Sequence, residues 1–207
     1  MERNVLILTM SSKYHGYCVA GIDIDNGKWV RLVSNDKKSH GALSRRDIIY
    51  ENKTKCKPLD VVKVPIIKDM PLKYQPENVL INCGTFWKKI ETIDINELIE
   101  YHEPEKHDFI FGGTCPYIKE WELQYVEHSL VLVEVDNLNI YHPSYRKTKA
   151  KFTYNGNKYY NISVTDPEYY DSKTYKFKKA ILVVSLPNIP FPHDNNYYKF
   201  IAKIFPM

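Results

Sequence analysis

Short runs of apolar and β-branched residues, separated by turn residues, recur along most of the chain. Residues 5–9, 59–67 and 130–135 are runs of this kind, and residues 180–186 form another that is apolar except for one serine. Such short runs favour strands over helices. The pattern predicts a mostly β protein in which residues 180–186 form a central, fully buried strand.

The dipeptide Asn-Gly lies twice between β-rich runs, at residues 26–27 and at residues 155–156. Both residue types tolerate the positive φ of a type I′ turn, which matches the twist of two antiparallel strands. Each dipeptide therefore predicts a β-hairpin.

The middle of the chain has a different pattern. Asp94 is a helix N-cap candidate with Glu97 three residues later, which predicts a short helix over residues 95–102. Residues 103–113 contain a proline and a Gly-Gly pair and are predicted to form a loop. The pattern of residues 121–126 fits a helix or a strand.

Formal charge also sets the middle of the chain apart from its two ends. Residues 1–85, 86–124 and 125–207 carry formal charges of +5, −5 and +4. Each flanking part is long enough for a five-stranded OB barrel. The predicted fold is mostly β with minor α: two small OB-like barrels, residues 1–85 and 125–207, packed together with an acidic, helix-containing connector, residues 86–124. One large β-sandwich is the alternative.

Several motifs, taken in order, resemble those of the dual OB-containing domain family. They are SKYHG at 12–16, CVAGID at 18–23, GKWVRLVS at 27–34, LDVV at 59–62, YQPEN at 74–78, VTDP at 164–167, VSL at 184–186 and YKFIA at 198–202. The resemblance implies two OB barrels in one compact unit, in a bacterial or archaeal protein linked to defence or conflict systems. Leu32 departs from the family, which usually has proline there.

The first candidate binding residues lie around the first hairpin. Trp29 and Arg31 are two positions apart on a predicted strand, so their side chains share one face and could stack a base and hold its phosphate. Alternatively, Trp29 is a core residue and Arg31 pairs with a carboxylate such as Asp23. The loop before the hairpin adds three more candidates: Lys13, Tyr14 and His15.

A polar loop follows the strand that ends near residue 67. Gln75 and Asn78 carry amides that can bond a base edge, and Tyr74 precedes them. In the structural alternative, Asn78 caps a turn. Asp166 precedes a proline, which is typical of a turn residue that accepts bonds from local backbone amides.

Lysines alternate with aromatic residues in two segments of the C-terminal part. Such a strand could place phosphate contacts beside stacking surfaces, although a solvated edge protected by lysines has the same pattern. The candidate residues are Arg146, Lys147, Lys149, Lys176 and Lys178.

Motifs for catalysis, metal binding and membrane insertion are missing from the sequence. The four cysteines are far apart with no CxxC pair, and there is no HExxH motif, no nucleophile elbow and no run of 18 apolar residues. We therefore expect a cytoplasmic protein with no metal, no cofactor, no membrane partner and, on balance, no enzymatic activity.

The leading functional hypothesis is a module that binds nucleic acid, either single strands of DNA or RNA or a modified base. One alternative is an enzyme or sensor for a nucleotide-like ligand between the two barrels, with Arg31, Asp166 and the loop at 74–78 around it. Another is a protein-binding adaptor that uses residues 86–124.

Overall fold

The computed structural model describes residues 1–13, 15–144 and 147–207. The chain divides into two compact units: Met1–Leu72 with Pro76–Glu103, and Lys73–Gln75 with Pro104–Met207. The acidic segment that was predicted to connect two barrels is divided between them after residue 103.

Within its described residues, the first unit contains six strands and one α-helix. They are β1 (Glu2–Lys13), β2 (Gly16–Asp23), β3 (Lys28–Val33), β4 (Asp60–Asp69), β5 (Asn78–Ile81), β6 (Lys88–Thr92) and α1 (Ile95–Tyr101).

Five of these strands close into a ring in the order β1-β2-β3-β5-β4, with β4 pairing again with β1. The β3–β5 pair is parallel, and the other pairs of the ring are antiparallel. Strand β6 extends the sheet along β4. Val5, Ile7, Leu32 and Val62 point into the ring and form its core with Trp87.

Gly21 marks a close approach of β1 and β2. A Cβ atom at this position would lie 2.0 Å from the carbonyl oxygen of Leu6. The pairing of the two strands also shifts by one residue between Ile7 and Thr9. Such irregularities bend a strand and help a small sheet close into a barrel.

In the part of the second unit that the structure describes there are seven strands. They are β7 (Tyr117–Ile118), β8 (Leu130–Ser144), β9 (Lys147–Tyr154), β10 (Asn157–Val164), β11 (Tyr175–Ser185), β12 (Tyr197–Tyr198) and β13 (Phe200–Pro206). The two shortest, β7 and β12, pair with each other.

The other five strands close into a barrel in the order β8-β9-β10-β13-β11, with β11 pairing again with β8. The β10–β13 pair is parallel. Numbered within its own ring, each unit has the strand order 1-2-3-5-4-1, with strands 3 and 5 parallel. The prediction of two OB-like barrels is confirmed, and the single-sandwich alternative is wrong.

The buried strand predicted at residues 180–186 is confirmed as the C-terminal half of β11, which lies between β8 and β13. The short helix is confirmed as α1. The Asp94 side chain accepts hydrogen bonds from the backbone N–H groups of Asn96 and Glu97, and the Glu97 carboxylate accepts one from Asp94 in return. The undecided segment at 121–126 forms most of a short 3₁₀ helix, Glu120–Tyr125.

Both hairpins are confirmed, but their turns differ. Asn155 and Gly156 have φ values of 47° and 74°, as a two-residue type I′ turn requires. In the first hairpin only Gly27 has positive φ, at 71°, and four residues separate Asp23 from Lys28. The prediction of a type I′ turn was therefore wrong for the first hairpin. Among the described residues, no helix is long and apolar enough to span a membrane.

Candidate nucleic-acid interface

The outer surface of the second barrel carries a group of lysines on β9 and its neighbours. Ala150 and Phe152 of β9 point into the core, so the residues that alternate with them point outward. Five outward lysines of β9, β10 and β11 make up what we call the lysine face: Lys147, Lys149, Lys151, Lys158 and Lys176.

Strand register arranges this surface in rows. Asn139 of β8 lies opposite Lys176 on one side and Lys151 on the other. In the next row, Lys149 lies between Tyr141 of β8 and Ser163 of β10. Lys176 and Lys151 therefore share a row, with Asn139 of β8 between them, and Lys149 lies in the row beside it. Lys158 of β10 lies further along the sheet, opposite Thr153.

Hydrogen bonds fix the second row. The Lys149 ammonium donates to the Ser163 hydroxyl at 2.8 Å, and the Tyr141 hydroxyl donates to the Asn161 amide oxygen at 2.6 Å. Burial, together with the nearby charge of Lys147, lowers the pKa of Lys149. A bound phosphate would offset this repulsion between neighbouring ammonium groups.

Residues 147–164, which span β9 and β10, contain four lysines and no acidic residue. Among the described residues, no carboxylate forms an ion pair with the lysine face. Acidic residues appear further along β8, where Glu134 and Asp136 pair with Lys179. The lysine face is therefore positively charged, whereas the neighbouring Lys179 is neutralised by two carboxylates.

An exposed aromatic ring lies beside these lysines. Tyr159 of β10 points into the core, so the next residue, Tyr160, points outward. Tyr160 is 52% exposed, whereas Tyr159 is buried in the core. OB barrels bind oligonucleotides on the face of their second and third strands, which here are β9 and β10.

Three of the candidates from the sequence belong to the lysine face: Lys147 and Lys176 are exposed and Lys149 is partly exposed. Lys178 is exposed further along β11. Arg146 lies outside the described residues.

Sequence reasoning missed Asn139, Tyr141 and Tyr160. The available signal was alternation, because each of them lies next to a core residue of the same strand.

The equivalent face of the first barrel is buried. Trp29 and Arg31 lie on β3, the third strand of that ring, and are 8% and 3% exposed. Residues 16–33 contain two acidic and two basic residues, so this face has no formal charge. The expected exposed stacking platform at Trp29 and Arg31 is therefore not formed.

Arg31 pairs with the carboxylate of Glu77 rather than with Asp23, the partner suggested from the sequence. Its Nε lies 3.3 Å from Glu77 Oε1, and its Nη1 lies 2.8 Å from Cys18 Sγ. Burial alone would lower the pKa of Arg31, but the interactions with the Cys18 and Glu77 side chains outweigh it and raise the value. The suggested partner Asp23 instead lies 3.9 Å from Arg3. Arg31 is thus part of a buried ion pair.

Trp29 and the loop residues have structural contacts as well. The Trp29 ring packs edge-on against His102, with 5.8 Å between ring centroids. Lys13 donates to the carbonyl of His40 at 2.9 Å, and burial lowers the pKa of Lys13. His15 is exposed, with a φ of 64°. Tyr14 lies outside the described residues.

The loop at 74–78 does not present its amides to solvent. Tyr74 packs against the core of the second unit, 5.7 Å from the Tyr197 ring. The Gln75 amide donates to the carbonyl of Leu186 at 3.1 Å and is buried. Asn78 is buried at the start of β5, opposite Arg31 in the parallel ladder. In this conformation, neither amide can reach a base edge.

Asp166 also has a structural role. Its carboxylate accepts hydrogen bonds from the backbone N–H groups of Glu168 and Ile204, and it lies 3.1 Å from the Lys203 ammonium. Burial raises the pKa of Asp166 even though Lys203 opposes the shift. The turn interpretation is therefore supported.

A pocket of about 460 Å³ lies in the first unit, beside the loop that joins β1 and β2. His15, Asp36, Asp47 and Cys83 line it. Both carboxylates already accept local hydrogen bonds, Asp36 from Lys38 N–H and Asp47 from Ser44 N–H. The pocket is a cavity between loops whose polar groups are largely satisfied.

Comparison with known proteins agrees with the two-barrel topology. No curated protein and no solved structure matches this chain. The model of the Dual OB-containing domain family matches residues 3–204, nearly the whole length. The two five-stranded rings, with the same strand order in each, are what the description of that family leads one to expect. The chain therefore belongs to the Dual OB-containing domain family.

Proposed function

We propose that this protein binds single-stranded nucleic acid and that the lysine face of the second barrel is the contact surface. The observation that carries the proposal is the difference between the two barrels. On strands 2 and 3 of the second barrel, four lysines lie outward and no acidic residue accompanies them, whereas the same strands of the first barrel are neutral and largely buried.

The chemistry of this surface suits a polyanion that also has flat bases. Lys147, Lys149, Lys151 and Lys176 can contact successive phosphates, and Tyr160 offers an exposed ring for stacking. Proteins that bind single strands without strong sequence preference combine these two features. In a duplex the faces of the bases are stacked on one another, so the ring favours a single strand.

Binding should depend strongly on salt. Each phosphate contact on a single strand contributes a slope of about −0.7 to the plot of log K against log salt. Four lysine contacts then predict that affinity falls about 50-fold between 50 and 200 mM salt. Fluorescence anisotropy with a labelled thymidine oligonucleotide measures this directly.

Two triple variants remove the same number of positive charges, one from the lysine face and the other from the first unit. Lys147→Gln, Lys151→Gln and Lys176→Gln together should reduce the salt effect to about threefold, since one lysine of the four remains. The control changes three exposed lysines of the first unit, Lys28, Lys37 and Lys57, to Gln and so has the same net charge. Equal binding by the two triple variants, or no binding by the wild type at low salt, would refute the proposal.

The small-ligand alternative has less support. Its assigned residues already have partners: Arg31 with Glu77, Gln75 with Leu186, and Asp166 with Lys203. Recognition of a modified base, a cytoplasmic location and a role in prokaryotic defence stay predictions from the sequence.

A further inference from the structure

Four aromatic rings lie next to one another at one side of the second barrel. Tyr117 contacts Tyr198, Tyr198 contacts Phe191, and Phe191 contacts Phe200, with centroid distances of 5.6, 5.1 and 6.0 Å. We call these four residues the aromatic cluster. They come from β7, β12, β13 and the connection that follows β11, which is the loop between the fourth and fifth strands of the ring.

The aromatic cluster lies outside the core of the barrel. Ile201 and Tyr197 belong to the core, whereas the alternating residues Phe200 and Tyr198 do not. Phe191 is 41% exposed. These rings are therefore a partly open surface rather than core packing.

Strand register joins the aromatic cluster to the lysine face. Phe200 of β13 is the parallel partner of Ser163 on β10, and Ser163 accepts the hydrogen bond from Lys149. The row that begins at Tyr141 and Lys149 thus continues across Ser163 to Phe200 and then to Phe191. A strand that crosses the lysine face in this direction meets the aromatic cluster next.

The charged groups beside the aromatic cluster show whether it suits the phosphates or the bases of a nucleic acid. The Tyr198 hydroxyl donates to Asp194 at 2.6 Å, and this hydrogen bond holds the pKa of Asp194 below its usual value. A charged carboxylate beside the rings disfavours a phosphate there. The Lys119 ammonium lies 5.1 Å from the Tyr117 centroid and donates to the Asn196 side-chain oxygen. The aromatic cluster is therefore suited to bases rather than to phosphates.

We propose that the aromatic cluster stacks the bases of the same nucleic-acid strand whose phosphates lie on the lysine face. This inference rests on the proposed function and extends it, because it makes base stacking a separate source of affinity. Stacking on an aromatic side chain does not depend on base identity, so the protein tolerates many sequences.

The experiment compares two strands of about 12 nucleotides: a thymidine oligonucleotide, and an abasic strand with the same phosphates and no bases. The variant is Phe191→Ala and the matched control is Phe109→Ala, since Phe109 of the same unit is 40% exposed and Phe191 is 41% exposed. Phe191→Ala should weaken thymidine binding by about five- to 150-fold and leave the abasic strand unaffected. Phe109→Ala should change neither affinity.

The results separate failure of this inference from failure of the proposed function. If Phe191→Ala binds the thymidine strand as tightly as the wild type, or loses both strands equally, the stacking role is wrong while nucleic-acid binding stands. If the wild type binds neither strand, the proposed function fails and this inference fails with it. Thermal melts of the two variants, compared with each other, show whether Phe191→Ala has disturbed folding.

Discussion

Changing Glu77 to Gln should destabilise the first barrel, because it removes the negative charge next to a buried guanidinium. Arg31 and Glu77 are 46 residues apart in sequence, and their side chains are 3% and 4% exposed. Gln can still accept a hydrogen bond from Arg31, so the change tests the charge rather than the contact.

The magnitude follows from the separation of the two groups. At 3.3 Å and an effective dielectric constant of about 20, the attraction is about 5 kcal/mol, which offsets the cost of burying both charges. Removing one partner leaves the other buried without compensation, which costs about 3–5 kcal/mol. The expected loss is at the lower end of this range, since Cys18 Sγ stays 2.8 Å from Arg31.

Tryptophan fluorescence during urea unfolding can follow this loss. Trp29 and Trp87 are buried in the first unit, whereas Trp121 of the second unit is 66% exposed and should change less on unfolding. Arg31→Met with Glu77→Leu provides the control, because well-packed apolar residues can replace a buried ion pair at little cost. The double variant should lie within about 2 kcal/mol of the wild type.

Two outcomes would refute this reasoning. One is a Glu77→Gln variant that is as stable as the wild type. The other is a double variant that loses the sum of the two single losses, because independent sites add and coupled sites do not. In either case the Arg31–Glu77 ion pair would not be the interaction that stabilises the first barrel.

Two further predictions concern backbone contact and pH. Gly21→Ala should lower the unfolding free energy by about 3 kcal/mol, because the new Cβ would lie 2.0 Å from the carbonyl oxygen of Leu6. The control is Gly113→Ala, whose Cβ meets no atom within 4 Å and which should be neutral. Urea unfolding measures the stability of both variants. Burial lowers the pKa of Lys199 to about 8, so above that pH the unfolded chain binds more protons than the folded chain and stability rises with pH. Between pH 7 and about 9.5 this gain is about 2 kcal/mol, and in urea titrations Lys199→Met should lack it; an equal gain in that variant would contradict the assignment.

The strands and turns were largely predictable because their signals are local. Alternation with period two and the Asn-Gly turns depend on neighbouring residues, and they located both hairpins and the buried half of β11. Strand β6 was missed. All five of its residues are exposed, so it has no apolar alternation to detect.

Burial of the first candidate site could not be predicted from the sequence. Period two shows that Trp29 and Arg31 share a face of β3, but it does not show whether that face is covered. The pairing of Arg31 with Glu77 depends on the parallel contact between β3 and β5, which are separated by more than 40 residues. Asp23, which is closer in sequence, was therefore the more obvious candidate.

The aromatic cluster was hidden for a similar reason. It depends on β7 and β12, which have two residues each and are too short for periodicity to reveal. By contrast, the lysines of β9 and β11 were recognisable from the sequence. Only the barrel shows that those lysines form adjacent rows with Asn139 and Tyr141.

The most direct test of the proposed interface is a lysine footprint. The protein is acetylated briefly with and without a saturating thymidine oligonucleotide, and mass spectrometry measures the modification of each lysine. We predict protection of Lys147, Lys151 and Lys176 and no protection of Lys28 and Lys37. Equal modification of the lysine face with and without the oligonucleotide, or protection confined to the first unit, would contradict the account.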